Sequence, residues 1–205
     1  MSGINHKRSA MPVFHFEKAT PEDALQVALI MAEAVGDDIM ERTIANGGRI
    51  PETDKERMEK LCQVALREDT LYSYLHCTLV RTADGQTAGG LIAYPGDDYI
   101  QRRTTTFDIV RDLIQFDTEK MDAEVQPHEF YLDSMAVWPQ YRRQGIARKL
   151  MQHGIALGKE AKRPVTLACA PDNTGAHRLY TSLGFHDAGK LFIFGEDYIR
   201  MELSY

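Results

Sequence analysis

The amino-acid sequence predicts a single α/β domain, a mixed sheet with helices on both faces. Three observations predict it. Strand-like and helix-like runs follow one another in the order β-α-α-β-β-insert-β-α-β-α-β-β. Residues 164–170 are continuously apolar, as suits a strand covered on both faces. A length of 205 residues with 43% hydrophobic and 26% charged content suits one domain with one sizeable core.

The elements follow in chain order. Residues 1–12 are expected to be a flexible tail and 13–205 the domain, with 13–17 its first short strand. At Thr20-Pro21-Glu22-Asp23 a helix should start: Thr20 can cap, Pro21 suits the first position, and the acids lie where unpaired N–H groups favour negative charge. Leu25, Ala28, Ala32 and Val35 recur at helical spacing before Gly36 ends the helix. Thr53-Asp54-Lys55-Glu56 reads as a capping box, opening a second helix that buries Met58, Leu61, Cys62 and Ala65. Residues 71–81 and 87–94 flank the turn Ala83-Asp84-Gly85-Gln86 and should pair as a hairpin. Residues 130–138 read as a strand, and 143–162 as a helix with the stripe Ile146, Leu150, Met151, Gly154 and Leu157. After the apolar strand, 174–183 form a helix closed by Gly184, and 191–194 and 198–203 are two strands joined around Gly195.

Composition excludes several function classes. Cys62, Cys77 and Cys169 are odd in number and lack C-x-x-C spacing, which argues against a disulfide framework or a zinc site and for a reducing cytoplasm. No apolar run is long enough to span a membrane, and the first residues hold no apolar signal core. A net charge of -6 offers no basic footprint for nucleic acid. The segment 96–129 stands out as an acidic insert. Between residues 108 and 129 it carries seven acids (Asp108, Asp112, Asp117, Glu119, Asp122, Glu124 and Glu129) against Arg111 and Lys120. Phe107, Val110, Leu113 and Ile114 give part of it a helical stripe, so it reads either as a solvated helix face or as an acidic rim that draws a cationic amine.

Two blocks carry chemistry. The turn Arg142-Arg143-Gln144-Gly145-Ile146-Ala147 opens a helix, where unpaired N–H groups and the positive dipole end favour an anion. Gly145 and Ala147 would let a pyrophosphate approach the backbone, and Arg142, Arg143, Arg148 and Lys149 add positive charge; Gly145 would equally serve to close a turn. In the second block, Asn173 and Tyr180 lie seven residues apart, on one face of one helix. Asn173 is suited to pair with the amides of an extended ligand or simply to cap its helix, and Tyr180 to reach a ligand's far end or to pack beside Leu183.

Together these blocks resemble the GNAT superfamily of N-acetyltransferases. The pattern is Val137-x-Pro139-x-Tyr141-Arg142-x-x-Gly145-Ile146-Ala147, followed by Asn173 and Tyr180-x-x-Leu183-Gly184-Phe185. The resemblance implies a mostly antiparallel mixed sheet whose central strands splay. It implies acetyl-CoA as acyl donor, its pantetheine against the backbone of Met135, Ala136 and Val137. The pyrophosphate would sit on the turn amides of Arg143, Gln144, Gly145, Ile146, Ala147 and Arg148, with Arg142 beside them. Asn173 would contact the pantetheine arm, and Tyr180 would act as general acid for the departing thiolate. Direct transfer to an amine then needs neither a metal nor a covalent enzyme intermediate.

Some members of that family carry a Glu five positions before the Asn; here Ala168 stands there. Asp133 is the candidate base, since on a regular strand it shares a face with Met135 and Val137, about 13 Å from Val137 at about 3.3 Å per residue. His76, His128 and His177 are weaker alternatives, and Cys169 reads as core. The acceptor pocket is expected between the first helices and the segment 94–129. A cationic small amine is the first expectation for the acceptor, with protein N-termini or lysines, or an acyl-CoA-binding module without turnover, as rivals. A monomer or homodimer is expected.

Overall fold

The structure is a computed structural model that describes residues 13–114 and 116–203; the expected tail over residues 1–12 lies outside them. In chain order the elements are β1 (Phe14–Lys18), α1 (Ala24–Ala34), α2 (Ile39–Ala45), α3 (Lys55–Leu66), β2 (Cys77–Thr82), β3 (Thr87–Pro95) and α4 (Tyr99–Val110). Then follow β4 (Phe130–Val137), α5 (Ile146–Glu160), β5 (Val165–Cys169), α6 (Thr174–Thr181), β6 (Phe185–Ile193) and β7 (Glu196–Leu203). The strands form one sheet in the order β1-β2-β3-β4-β5-β7-β6, antiparallel at every neighbour except β4 and β5.

One core lies on each face of the sheet. Val27, Ala28, Ile30 and Met31 of α1, with Met58 of α3 and Tyr99 of α4, cover one face. On the other, α5 presents the expected stripe: Ile146, Leu150, Met151 and Gly154 are buried. Each large side chain so buried stabilises the fold by about 1.5–3 kcal/mol. The helix approaches the sheet closely because Gly154 and Gly158 lack side chains; a Cβ on Gly158 would lie 2.3 Å from Val165 Cγ2. Thr20 does cap, forming a reciprocal box with Asp23 around the short turn Pro21–Asp23 that leads into α1.

Four details depart from the sequence reading. The helix α2, absent from that reading, is short: it buries Ile39 and Met40 in the α1 core, and its Arg42 contacts Asp37, Asp38 and Asp54. The expected capping box at Thr53 is absent because Thr53 lies inside the turn Glu52–Asp54 through which the chain enters α3; Asp54 stands at the N-cap, with its carboxylate on Arg42. Residues 71–76 are not strand. The Leu71 N–H donates to Thr106 Oγ1 (2.9 Å) and its carbonyl contacts His76 Nδ1 (2.8 Å), so side chains satisfy a backbone that a strand would have paired. Finally, β6 begins at Phe185, well before residue 191; its first half is polar because it is the exposed edge of the sheet. Among the described residues no helix is long and apolar enough to cross a membrane.

Candidate functional site

The sheet opens in its middle. β4 pairs with β5 at only two positions, Phe130 with Val165 and Tyr131 with Thr166. β4 continues to Val137 against β3 (Leu91 with Met135, Gly90 with Ala136, Gly89 with Val137), while β5 continues against β7. The edge of β4 that carries Met135, Ala136 and Val137 therefore faces a wedge in place of a neighbour: Val137 O is taken by Arg142, and the other N–H and C=O groups on that side have no strand partner.

A bulge interrupts β4 beside this wedge. Ile92 pairs with Ser134 and Ala93 with Leu132, so Asp133 is the extra residue. Alternation reverses across it. Tyr131 and Ala136 pack into the α1 core, whereas Leu132, Met135 and Val137 pack into the α5 core. The expectation that Asp133 shares a face with Met135 and Val137 is thereby corrected: its carboxylate turns to the α1 side, where the Tyr94 hydroxyl donates to Oδ2 and Ser134 Oγ donates to Oδ1 at 2.7 Å. Burial pushes the Asp133 carboxyl above the ordinary Asp range, and the bonds from Tyr94, Ser134 and Tyr72 oppose that rise.

After Val137 the chain turns into α5. Trp138 N–H donates to Ala88 O (2.9 Å), and Tyr141 and Arg142 close tight turns onto Trp138 and Pro139. Arg142 ties this turn to the first helices: its Nε donates to Val137 O (3.0 Å), and its Nη2 and Nη1 meet Glu33 and Glu41 at 2.7 and 3.0 Å. Its guanidinium thus holds the turn from behind. Arg143 and Gly145 have φ of +64° and +79°, a left-handed backbone that Gly145 adopts without cost. No side chain caps α5, and its first backbone bond runs from Lys149 N–H to Gly145 O. The N–H groups before Lys149, those of Ile146, Ala147 and Arg148, have no intrahelical acceptor. A Cβ at Gly145 would meet nothing within 4 Å, so the space beside the turn is open. Gln144 Nε2 donates to Gln140 O (3.3 Å), and Arg148 Nη2 donates to Ser182 Oγ (2.7 Å), joining α5 to the end of α6.

On α6, Asn173 does cap its helix, accepting from Ala176 N–H at 3.0 Å, which leaves the amide NH2 group as the part a ligand would meet. Tyr180 packs at 6.2 Å between ring centroids from Phe185, and burial, reinforced by Cys169, pushes its phenol up to about 12. Such a phenol is protonated at neutral pH and can act as a proton donor but not as a base. Cys169 is buried, and burial raises its thiol too, so it is no nucleophile. His76 and His177 are engaged by Leu71 O and Asp187 (2.8 Å each), and none of His76, His128 and His177 is among the residues that line the cavity described next.

A cavity of about 870 Å³ passes through the wedge, reaching both faces of the sheet. On the α5 side it is lined by Met135, Met151, Asn173 and Tyr180; on the other by the end of α1, by α3, by α4 with the segment after it, and by the β6–β7 turn. Sequence reasoning missed its second carboxylate. Glu124, from the acidic segment, accepts from Tyr99 (3.1 Å) and Tyr131 (2.8 Å), and burial together with the charge of Asp133 pushes it up to about 7. Met121 and Val125, buried on either side of it, were the available signal: this stretch is half apolar and packs inward. Other acids of the insert are structural, Glu129 holding Arg200 (2.7 Å) and Asp122 accepting from Phe192 N–H (2.7 Å). Among the described residues no group of three or more His, Cys, Asp or Glu side chains is placed to hold a metal.

The acetyltransferase (GNAT) family profile matches residues 49–185, a span containing β4, the turn, and Asn173 and Tyr180. The chain is similar to the crystal structure of an acetyltransferase, at 24% identity and TM-score 0.70, covering 92% of this chain and 98% of that one. It is similar to an N-acetyltransferase from Staphylococcus aureus Mu50, at 20% identity and TM-score 0.70 over 92% and 100% of the two chains. A chain of the NatC complex bound to Gag peptide and CoA shares 15% identity and TM-score 0.52 over 94% and 98%. At these identities the likeness shows the fold alone. No curated protein matches the chain at a significant level.

Proposed function

This chain belongs to the acetyltransferase (GNAT) family, and from that premise we propose that it moves an acetyl group from acetyl-CoA to a primary amine by direct attack. One observation carries the reading: a single cavity runs through the β4–β5 wedge with a half-buried phenol, Tyr180, on one side and two half-buried carboxylates, Asp133 and Glu124, on the other. The chain's groups fit the donor. Uncapped N–H groups of Ile146, Ala147 and Arg148 suit a pyrophosphate, and the open space at Gly145 leaves room for it. The edge at Met135, Ala136 and Val137, which has no β5 partner, suits the amides of pantetheine, as does the Asn173 NH2 group. When bound, acetyl-CoA supplies an activated acyl carbon with a thiolate leaving group.

Each side chain then has one task. The Asp133–Glu124 pair takes the proton that the amine nitrogen gives up as it bonds to the acyl carbon. Tyr180 gives its proton to the sulfur as the carbon–sulfur bond breaks, and its high proton affinity keeps that help modest. Backbone N–H groups of the β4 edge would stabilise negative charge on the acyl oxygen. The two carboxylates also favour a cationic acceptor over a neutral one, although it must lose a proton to react. Release of CoA thiol from acetyl-CoA across a panel of primary amines tests the reading. A protein that binds CoA yet releases no thiol with any amine is a binding module instead.

A further inference from the structure

The part of the cavity beyond the carboxylates is walled by Phe107, Val110, Leu113, Phe116, Ile193 and Phe194. These come from α4, from the segment after it and from the β6–β7 turn, which are clamped together. Phe107 packs on Phe194 and Phe116 on Phe192 at 5.8 and 6.0 Å between ring centroids, edge to face, and Asp122 N–H donates to Phe192 O at 3.0 Å. The aromatic wall is therefore a built feature, with Phe194 still 36% exposed.

We propose that the acceptor is a small primary amine with an apolar body of aromatic size, seated against this wall with its nitrogen at the Asp133–Glu124 pair. The inference rests on the acetyltransferase reading above. Charge supports it over a polyamine. Beyond this pair, the lining carboxylates are Glu33, which holds Arg142 at 2.7 Å, and Glu196 at the far turn, so no file of acids runs along the wall to match successive cations. Size supports it over a protein acceptor, because about 870 Å³ must hold both the end of the acyl donor and the acceptor, and pockets of this scale suit small ligands.

The experiment compares kcat/KM for 2-phenylethylamine, spermidine and a tripeptide with a free N-terminus, in the wild type and in Phe194→Ser and Phe194→Tyr. Expected is a preference of about tenfold or more for 2-phenylethylamine. In Phe194→Ser its KM rises by about tenfold at similar kcat, and Phe194→Tyr recovers most of the loss. Preference for spermidine or the peptide overturns this inference alone, as does an unchanged KM in Phe194→Ser. If the wall instead takes a long acyl chain, an octanoyl donor outperforms acetyl-CoA and the amine's body ceases to matter, which also overturns it. Absence of thiol release with every acceptor overturns both this inference and the reading it rests on.

Discussion

Asp133 raises the proton affinity of Glu124: a bulge residue of β4 and a residue of the acidic insert line one cavity, each already bonded by tyrosine hydroxyls. Both carboxyls stand above their ordinary range, so the pair titrates as one unit. With the ionised pair as the base, activity is half-maximal near the Glu124 value of about 7, rises to its full level above it and falls as pH drops below it. Glu124→Gln removes the like charge and should move this limb to lower pH, while Asp133→Asn should lower kcat by about a hundredfold. A kcat–pH profile checks both, and a limb that neither substitution moves would remove the pair from proton transfer.

Tyr180→Phe should lower kcat by about tenfold to a hundredfold with little change in CoA affinity, because a phenol held near 12 gives modest help as an acid. Steady-state kinetics beside calorimetric CoA binding separates the two effects. Unchanged turnover would leave Tyr180 as a packing residue against Phe185.

Gly145→Val should weaken CoA binding by about tenfold or more. The left-handed φ of +79° is strained for a β-branched residue, at about 1–3 kcal/mol, and the side chain would stand in the open space beside the turn. Calorimetry gives the affinity, and unaltered binding would detach the pyrophosphate from this turn.

Gly158→Ala tests the packing that positions α5. Its new Cβ would fall 2.3 Å from Val165 Cγ2, beside the two-rung pairing of β4 and β5, so either the Val165 side chain or the helix must shift. A loss of about 1–3 kcal/mol is expected, read as a drop in thermal midpoint; an unchanged midpoint would mean that the contact relaxes freely.

The order of elements was legible in the sequence because most are locally self-consistent. α5 carries a strong stripe, β5 is an unbroken apolar run, and the turn at Gly145 has its own composition. Long-range features were not. α2 is too short to declare itself by periodicity and rests on tertiary burial of Ile39 and Met40 beside the Arg42–Asp54 pair, and residues 71–76 are shaped by Thr106 on α4. In the site, Asn173 and Tyr180 declare themselves by spacing, and both line the cavity. The orientation of Asp133 depends on a bulge in the pairing with β3, which periodicity within β4 cannot reveal. Glu124 was hidden among surface acids, since only the packing of Met121 and Val125 carries it inside.

The most direct measurement of the central claim incubates the protein with acetyl-CoA and a primary amine such as 2-phenylethylamine, following thiol release and the products by mass spectrometry. The account predicts thiol and N-acetylated amine in equal amounts, with the enzyme itself unmodified. Thiol released without acetylated amine, an acetyl group left on the enzyme, or no thiol at all would contradict it.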